Sequence, residues 1–250
     1  MVVLYRDSLI NMYFPYSFFK NISGYYYYLR NNALWAYFSF TPPNENFDST
    51  PNQNNLVFSY CTGGLGIIGT GLDLVNGINV PYANIQTTYT SNYLPNSFAQ
   101  AFSICGWVNT SSIAAGNNLV FLTDMTYLTV FPVNGSSYCF AWLVSPTGDP
   151  TNYLELDSQA VAYNSWVFFN AIYDSGSSTM RFGVNGSGDK ILNMNGETAQ
   201  FYYPDTFQIG DSTSKYNAYM DEIGLWSRVL SSGERTYLYN NHSGRTYPFN

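Results

Sequence analysis

Residues 165–174 read SWVFFNAIYD, residues 178–184 read STMRFGV and residues 218–226 read AYMDEIGLW. Each is a short apolar run rich in β-branched and aromatic side chains and bounded by turn residues, which favours strands over helices. The same kind of run recurs upstream at 34–40, 56–60, 98–108, 118–123, 126–131 and 137–144. Four Asn-Gly pairs, at Asn76-Gly77, Asn134-Gly135, Asn185-Gly186 and Asn195-Gly196, each follow an apolar residue. Such pairs supply the two positive-φ positions of a type I′ hairpin, so antiparallel connections are expected. The segments between turns are mostly too short for crossover helices, and the pattern predicts an all-β, antiparallel, two-sheet sandwich. One short C-terminal helix is predicted, because Ser231-Ser-Gly-Glu234 fits a capping box and Asn240-Asn241 with Gly244 supply stop signals.

Composition narrows the function classes. The chain has 250 residues, 46% of them hydrophobic, enough for one large β domain or two small ones. Its 24 Tyr and 18 Phe exclude an intrinsically disordered chain. A net charge of −7 leaves little to neutralise a phosphate backbone, so no nucleic acid partner is expected. No window approaches the roughly twenty apolar residues of a membrane span. Charge at Arg6 and Asp7 interrupts what would be the apolar stretch of a secretory signal, which argues against export by that route. Cys61, Cys105 and Cys139 are widely spaced and lack a CxxC, so they are expected to be buried or half-buried thiols rather than a disulfide framework or zinc site. Asn, Ser, Thr, Gly and Tyr fill the space left by missing charge, a composition shared by assembly proteins and sugar binders.

Residues 1–33 stand apart: ten of the thirty-three are aromatic and no helical or alternating period runs through them. They are expected to be an arm that packs onto a main domain at 34–250 or onto another subunit.

The order of motifs in the C-terminal third resembles a known family. Trp166 opens a strand that leads to a hairpin ending in Asn185-Gly186. Then come Phe207-Gln-Ile209-Gly210, Met220-Asp221-Glu222-Ile-Gly-Leu-Trp226, and Leu230-Ser231 ahead of Glu234. This order resembles the laminin-G-like, concanavalin A-like lectin/glucanase jelly roll. Upstream, Phe102–Val108 resembles its first long core strand, and Leu34–Phe40 with Phe47-Asp48-Ser49 its opening strand and acidic loop. The resemblance implies a jelly-roll sandwich over 34–250, with Trp107, Trp142 and Trp166 filling the space between the sheets rather than serving as sugar platforms.

The family includes glycoside hydrolases, which place an acid and a nucleophile at alternate positions of one strand. The nearest candidate, Glu155-Leu-Asp157-Ser-Gln159, has a Gln where a second Glu is needed, so a solvated edge segment and no enzyme activity are expected. His242 lacks a catalytic neighbourhood and is expected beside the helix's C-terminal carbonyls. The Gly-rich segment 63–69 has no phosphate-loop Lys and reads as a flexible loop before a strand at 71–75. The resemblance also implies a structural Ca²⁺ held by Asp48, Asn46 or Asn44 and Asp221; the alternative is that Asp221 and Glu222 hydrogen-bond loop backbone without metal. Tyr89, Tyr93, Tyr202, Tyr203 and Tyr216 are among many equivalent sugar-stacking candidates. The sequons at Asn21, Asn109, Asn134, Asn185 and Asn241 are attributed to Asn/Ser-rich composition.

Together these readings predict a non-catalytic surface recognition or adhesion protein. The expected setting is a virus or phage particle, with the lectin-like domain facing outward to carbohydrate or host-surface glycan. The aromatic arm would dock on other virion subunits, and the chain would form a homo-oligomer. The alternative is an extracellular, free carbohydrate-binding lectin or a module of a polysaccharide-degrading system; a glycoside hydrolase ranks third.

Overall fold

The computed structural model describes residues 33–43, 45–75, 82–85, 96–112, 117–123, 126–147, 152–199, 207–210 and 217–249. Nearly all of the 1–33 arm, and the turn at Asn76-Gly77, lie outside the described residues. Two eight-stranded antiparallel sheets face each other. The first is ordered β14 (Lys190–Asn193), β13 (Thr179–Val184), β12 (Val167–Asp174), β6 (Ala101–Ser112), β16 (Asn217–Trp226), β4 (Thr70–Asp73) and β3 (Thr62–Leu65), with β1 (Leu34–Phe38) also on β16. The second runs β10 (Leu154–Asp157), β9 (Ser137–Val144), β8 (Thr126–Asn134), β7 (Asn117–Thr123), β15 (Gln208–Ile209), β5 (Tyr82–Ile85) and β2 (Leu56–Ser59), with β11 (Val161–Ala162) on β9. This is the expected jelly-roll sandwich, and each apolar run read from the sequence contributes a strand.

Strand alternation sorts the aromatic residues into two clusters. Inward positions of β6, β9, β12 and β16, among them Phe102, Ile104, Trp142, Phe169, Tyr173, Met220 and Ile223, form the core between the sheets. Outward positions of the first sheet, Cys105, Trp107, Phe168 and Trp226, form a second cluster with Tyr37, Leu238, Tyr239 and Phe249. Trp142 therefore lies between the sheets as expected. Trp107 does not: it sits in the opposite phase of β6 from Ile104 and Val108 and stacks on Tyr239 at 5.8 Å. Trp166 is only partly buried against the same outer cluster.

The outer cluster is roofed by α1 (Ser232–Tyr239), which carries the expected capping box. Ser231 Oγ accepts from Glu234 N, while Glu234 Oε2 accepts from Ser231 N at 2.8 Å. Arg228 clamps the same carboxylate at 2.6 Å, and Arg235 pairs with Asp189 to tie the helix to the β13–β14 connection. The C-cap Asn240 takes the left-handed conformation, φ 48°. Arg245 Nε, rather than His242, donates to a last-turn carbonyl, that of Tyr237, and His242 instead packs edge-on to Tyr239 at 4.8 Å.

Turn chemistry is as expected at two sites. Ser187 N donates to Val184 O across Asn185-Gly186, and Glu197 N to Met194 O across Asn195-Gly196; all four central residues have positive φ, as type I′ turns require. At Asn134 the turn shifts by one: Asn134 pairs with Ser137, Gly135-Ser136 form the loop, and the Asn134 side chain accepts from Ser136 N. The Gly-rich segment is also corrected, since Thr62–Leu65 is a strand in a hairpin with β4. Glycine is needed there because a Cβ on Gly64 would lie 2.7 Å from Asp73 Cβ and 3.0 Å from the Tyr219 ring.

Replacing Ser231 by Ala removes the cap acceptor and half of the reciprocal box. Urea unfolding is expected to show a loss of about 1 kcal/mol with an unchanged m-value.

Candidate functional site

The acidic loop and the Asp-Glu strand are built from the same physics but serve backbone. Asp48, in the loop after β1, is buried and accepts four hydrogen bonds: from Tyr37 N and Thr50 N at 2.9 Å on Oδ1, and from Thr50 Oγ1 at 2.8 Å and Asn54 N at 3.0 Å on Oδ2. Burial raises its pKa and these bonds oppose the rise. Asn46 donates from Nδ2 to Leu56 O at 3.2 Å, and Asn52 and Asn54 donate to the backbone of Leu34 and Trp35. The loop is thus stitched to β1 by carboxylate and amide groups. Asn44 lies outside the described residues.

Asp221 and Glu222 occupy a bulge in β16. Between Asp221↔Trp107 and Gly224↔Cys105 the partner strand advances two residues and β16 three, so one residue is extra. Glu222 takes φ 52°, a left-handed conformation unusual for this residue. Asp221, wholly buried, accepts from Ile68 N at 3.1 Å on Oδ2 and from Glu222 N at 2.9 Å on Oδ1. Gly66 makes this approach possible, since a Cβ there would lie 2.7 Å from Asp221 Oδ2. Burial lifts the Asp221 pKa from 3.8 to about 7, against the pull of the Ile68, Glu222 and Ile67 amides. Burial, and then the neighbouring Asp221 charge, lifts Glu222 from 4.5 to about 9. Tyr37 Oη lies 2.6 Å from Glu222 Oε2 and 2.7 Å from Arg245 O. The Tyr37 hydroxyl donates toward both acceptors and so links the Glu222 carboxyl to the Arg245 carbonyl.

These residues do not fit a calcium site. Ca²⁺ takes about 6–8 oxygen ligands. Here both oxygens of Asp48 are filled by N–H and O–H donors, and Asp221 serves loop backbone. Among the described residues no group of three or more His, Cys, Asp and Glu side chains could hold a metal.

A different constellation lies on the outward face of the second sheet. Tyr127, Leu143 and Glu155 pair across β8, β9 and β10, and Thr129, Ala141 and Asp157 form the next rung in the same phase; Leu143, Thr129 and Ala141 are buried, while Glu155 and Asp157 reach solvent. Tyr153 meets Tyr127 edge-to-face at 5.1 Å. Glu155 and Asp157 are exposed, and the Glu155 pKa is raised by partial burial, then by the Asp157 charge and their shared hydrogen bond. Both carboxyls stand on the edge strand of the sheet. The arrangement suits accepting hydroxyl hydrogens beside an aromatic surface. Sequence reasoning missed Tyr127 and Tyr153, since only the register of β8 against β9 and β10 brings them together. The tyrosines it named, Tyr89, Tyr93, Tyr202, Tyr203 and Tyr216, lie outside the described residues.

Around the edge from this face, the end of β10 and the β13–β14 connection bound a cleft of about 280 Å³. Gln159, Ser187 and Lys190 line it, with the buried Phe182 and Val184 behind them.

Two layers of antiparallel strands with a capped C-terminal helix are the build of a lectin-like jelly roll. The sequence profile of the Laminin_G_3 family, described as the concanavalin A-like lectin/glucanases superfamily, matches residues 82–234, and the chain belongs to that family. No curated protein matches the sequence. Among solved structures, the binding domain of Paraclostridial Mosquitocidal Protein 1 is similar at TM-score 0.66 and 14% identity, covering 85% of this chain and 53% of that one. The receptor binding domain of botulinum neurotoxin C/D mosaic serotype is similar at TM-score 0.64 and 11% identity, covering 84% and 51%. The binding domain of botulinum neurotoxin DC in complex with SialylT is similar at TM-score 0.60 and 12% identity, covering 85% and 52%. This chain spans about half the length of each. At these identities the likeness is one of fold.

Two outcomes follow. A chelator is expected to leave the melting temperature unchanged, and a fall of several degrees would restore a bound cation. Asp221 and Glu222 have folded-state pKa values above their ordinary ones, so the folded state binds more protons than the unfolded chain between about pH 4 and 9. Their contribution to stability is full at the acidic end and lost as pH rises through the folded values. The melting temperature should therefore fall from pH 5 to pH 8, with a flatter slope in Glu222→Gln, as differential scanning fluorimetry would measure.

Proposed function

We propose that this chain is a non-catalytic recognition domain that binds saccharide through the outward face of β8, β9 and β10. The observation behind this reading is the Tyr127–Tyr153 pair set beside the exposed carboxylates of Glu155 and Asp157. An aromatic edge packs against the C–H face of a sugar ring, and carboxylates accept its hydroxyls. Support for the class comes from the family and from the similar solved structures being described as binding domains, one of them in complex with SialylT.

We further place the domain on the outside of a virus or phage particle, with the aromatic segment 1–33 docking to other subunits. An uncommonly low charged fraction, 10%, and an apolar segment in need of a partner support this setting. An extracellular lectin is the alternative.

A glycan array tests the recognition reading. Wild-type protein is expected to bind a restricted set of glycans without cleaving them, and Tyr127→Ala to weaken binding about tenfold, equivalent to ~1.4 kcal/mol. Tyr153→Ala serves as the second variant, with circular dichroism confirming that each is folded. Silence across the array, or binding indifferent to both substitutions, would overturn this face as the site. Immunogold labelling of intact particles separates the particle setting from the extracellular one.

A further inference from the structure

We propose that the open edge of the sandwich between Gln159 and Lys190 is a second saccharide site, selective for a sugar residue bearing a carboxylate. It rests on the recognition function above and adds a ligand class to it. Register carries the argument. Lys190 pairs directly with Phe182 across β13 and β14, and directly opposed residues project from the same face of a sheet. Phe182 faces the core with 1% exposure, so Lys190 occupies a core-side position on the last strand of the first sheet. An ammonium there must reach water or an anion. It reaches the cleft of about 280 Å³, at the small end of the ligand-pocket range and sized for one ring.

The cleft's charge runs against that of the chain. Acids outnumber bases by sixteen to nine overall, yet among the described residues no carboxylate lines the cleft and Lys190 makes no ion pair. Asp157 and Glu155 belong to the outward face of β10 instead. Across the opening, Gln159 is exposed and offers both amide donors and an acceptor. Ser187 Oγ donates to Val184 O at 2.5 Å, which leaves its lone pairs for a ligand hydroxyl. Gly188 adds no bulk, and a Cβ there would meet nothing within 4 Å. A carboxylate on Lys190 and hydroxyls on Gln159 and Ser187 satisfy these three polar groups together.

The plain alternative is that Lys190 guards an edge strand, since inward-facing charges blunt edge-to-edge pairing. A guard needs neither a cleft nor a particular sign of charge. Lys190→Glu would keep the guard and reverse the site.

Titration of the full chain with glucuronate, glucose and acetate, followed by amide chemical shifts, tests the proposal. Glucuronate is expected to bind with a dissociation constant on the order of 1 mM, shifting residues 159 and 187–190 and weakening with added salt. Glucose and acetate should each bind at least tenfold more weakly. Lys190→Gln and Lys190→Glu should each lose at least tenfold for glucuronate with an unchanged melting temperature, and Gly188→Trp should block the cleft sterically. Equal binding of glucose, or glucuronate binding that survives Lys190→Glu, would overturn the site. If the array signal still depends on Tyr127 in that case, the general recognition reading stands and only this cleft falls; if the array is silent as well, both fall.

Discussion

One extra residue in β16 organises the outer half of the molecule. Before the bulge, Ala218 and Met220 point into the core; after it, Ile223 and Leu225 do. Without the insertion, even and odd positions could not both face inward along one strand. The two residues at the change of phase, Asp221 and Glu222, end up buried where charge is costly. Their burial is tolerable because each is engaged: Asp221 by backbone amides of the loop 66–68, Glu222 by the Tyr37 phenol. The loop requires glycine at 66 to approach, and Tyr37 requires glycine at 224, where a Cβ would lie 2.9 Å from its ring. Sheet edge, first strand and C-terminal segment are thereby tied to one local irregularity.

That tie also explains why the outer cluster exists. Tyr37 reaches Arg245 O, which holds the chain after α1 against the sheet, and Phe249 meets Tyr37 edge-to-face at 5.1 Å. Trp107, Phe168 and Trp226 can then be covered by Leu238 and Tyr239 instead of facing water. A jelly roll needs one core between its sheets; this one has a second beneath α1, where Trp107, Trp166 and Trp226 pack.

Much of this was legible from residues alone. The strands at 165–174, 178–184 and 218–226 follow from their apolar runs, and the helix from Ser231 and Glu234, because hydropathy period and capping are local. What failed were matters of phase and distance. Trp107 reads as strand core whichever sheet face it takes, and only the pairing of β6 assigns its side. Gly63-Gly64 reads as loop because glycine is a poor strand former, yet here the close pass of Asp73 and Tyr219 requires it. Asp221 stays open between cation ligand and backbone acceptor, because the sequence shows carboxylates without their donors. The Tyr127–Tyr153 face was invisible for the same reason, being assembled from strands separated by a hairpin.

The amide-rich composition now has a physical account that does not pass through sugars. Among the described residues, five of the twelve non-glycine positions with positive φ are asparagines: Asn164, Asn185, Asn195, Asn240 and Asn241. Asparagine tolerates the left-handed region because its short side chain hydrogen-bonds local backbone. Asn52 and Asn54 do the complementary work, donating to backbone carbonyls that would otherwise be stranded at the start of β1. A chain that turns and latches with amides has little need of surface ion pairs, and its few cations fall to specific tasks. Arg228 and Arg235 fix the helix, and Arg245 lies 3.9 Å over the Tyr237 ring. Asparagine abundance is therefore weak grounds for inferring a glycan ligand.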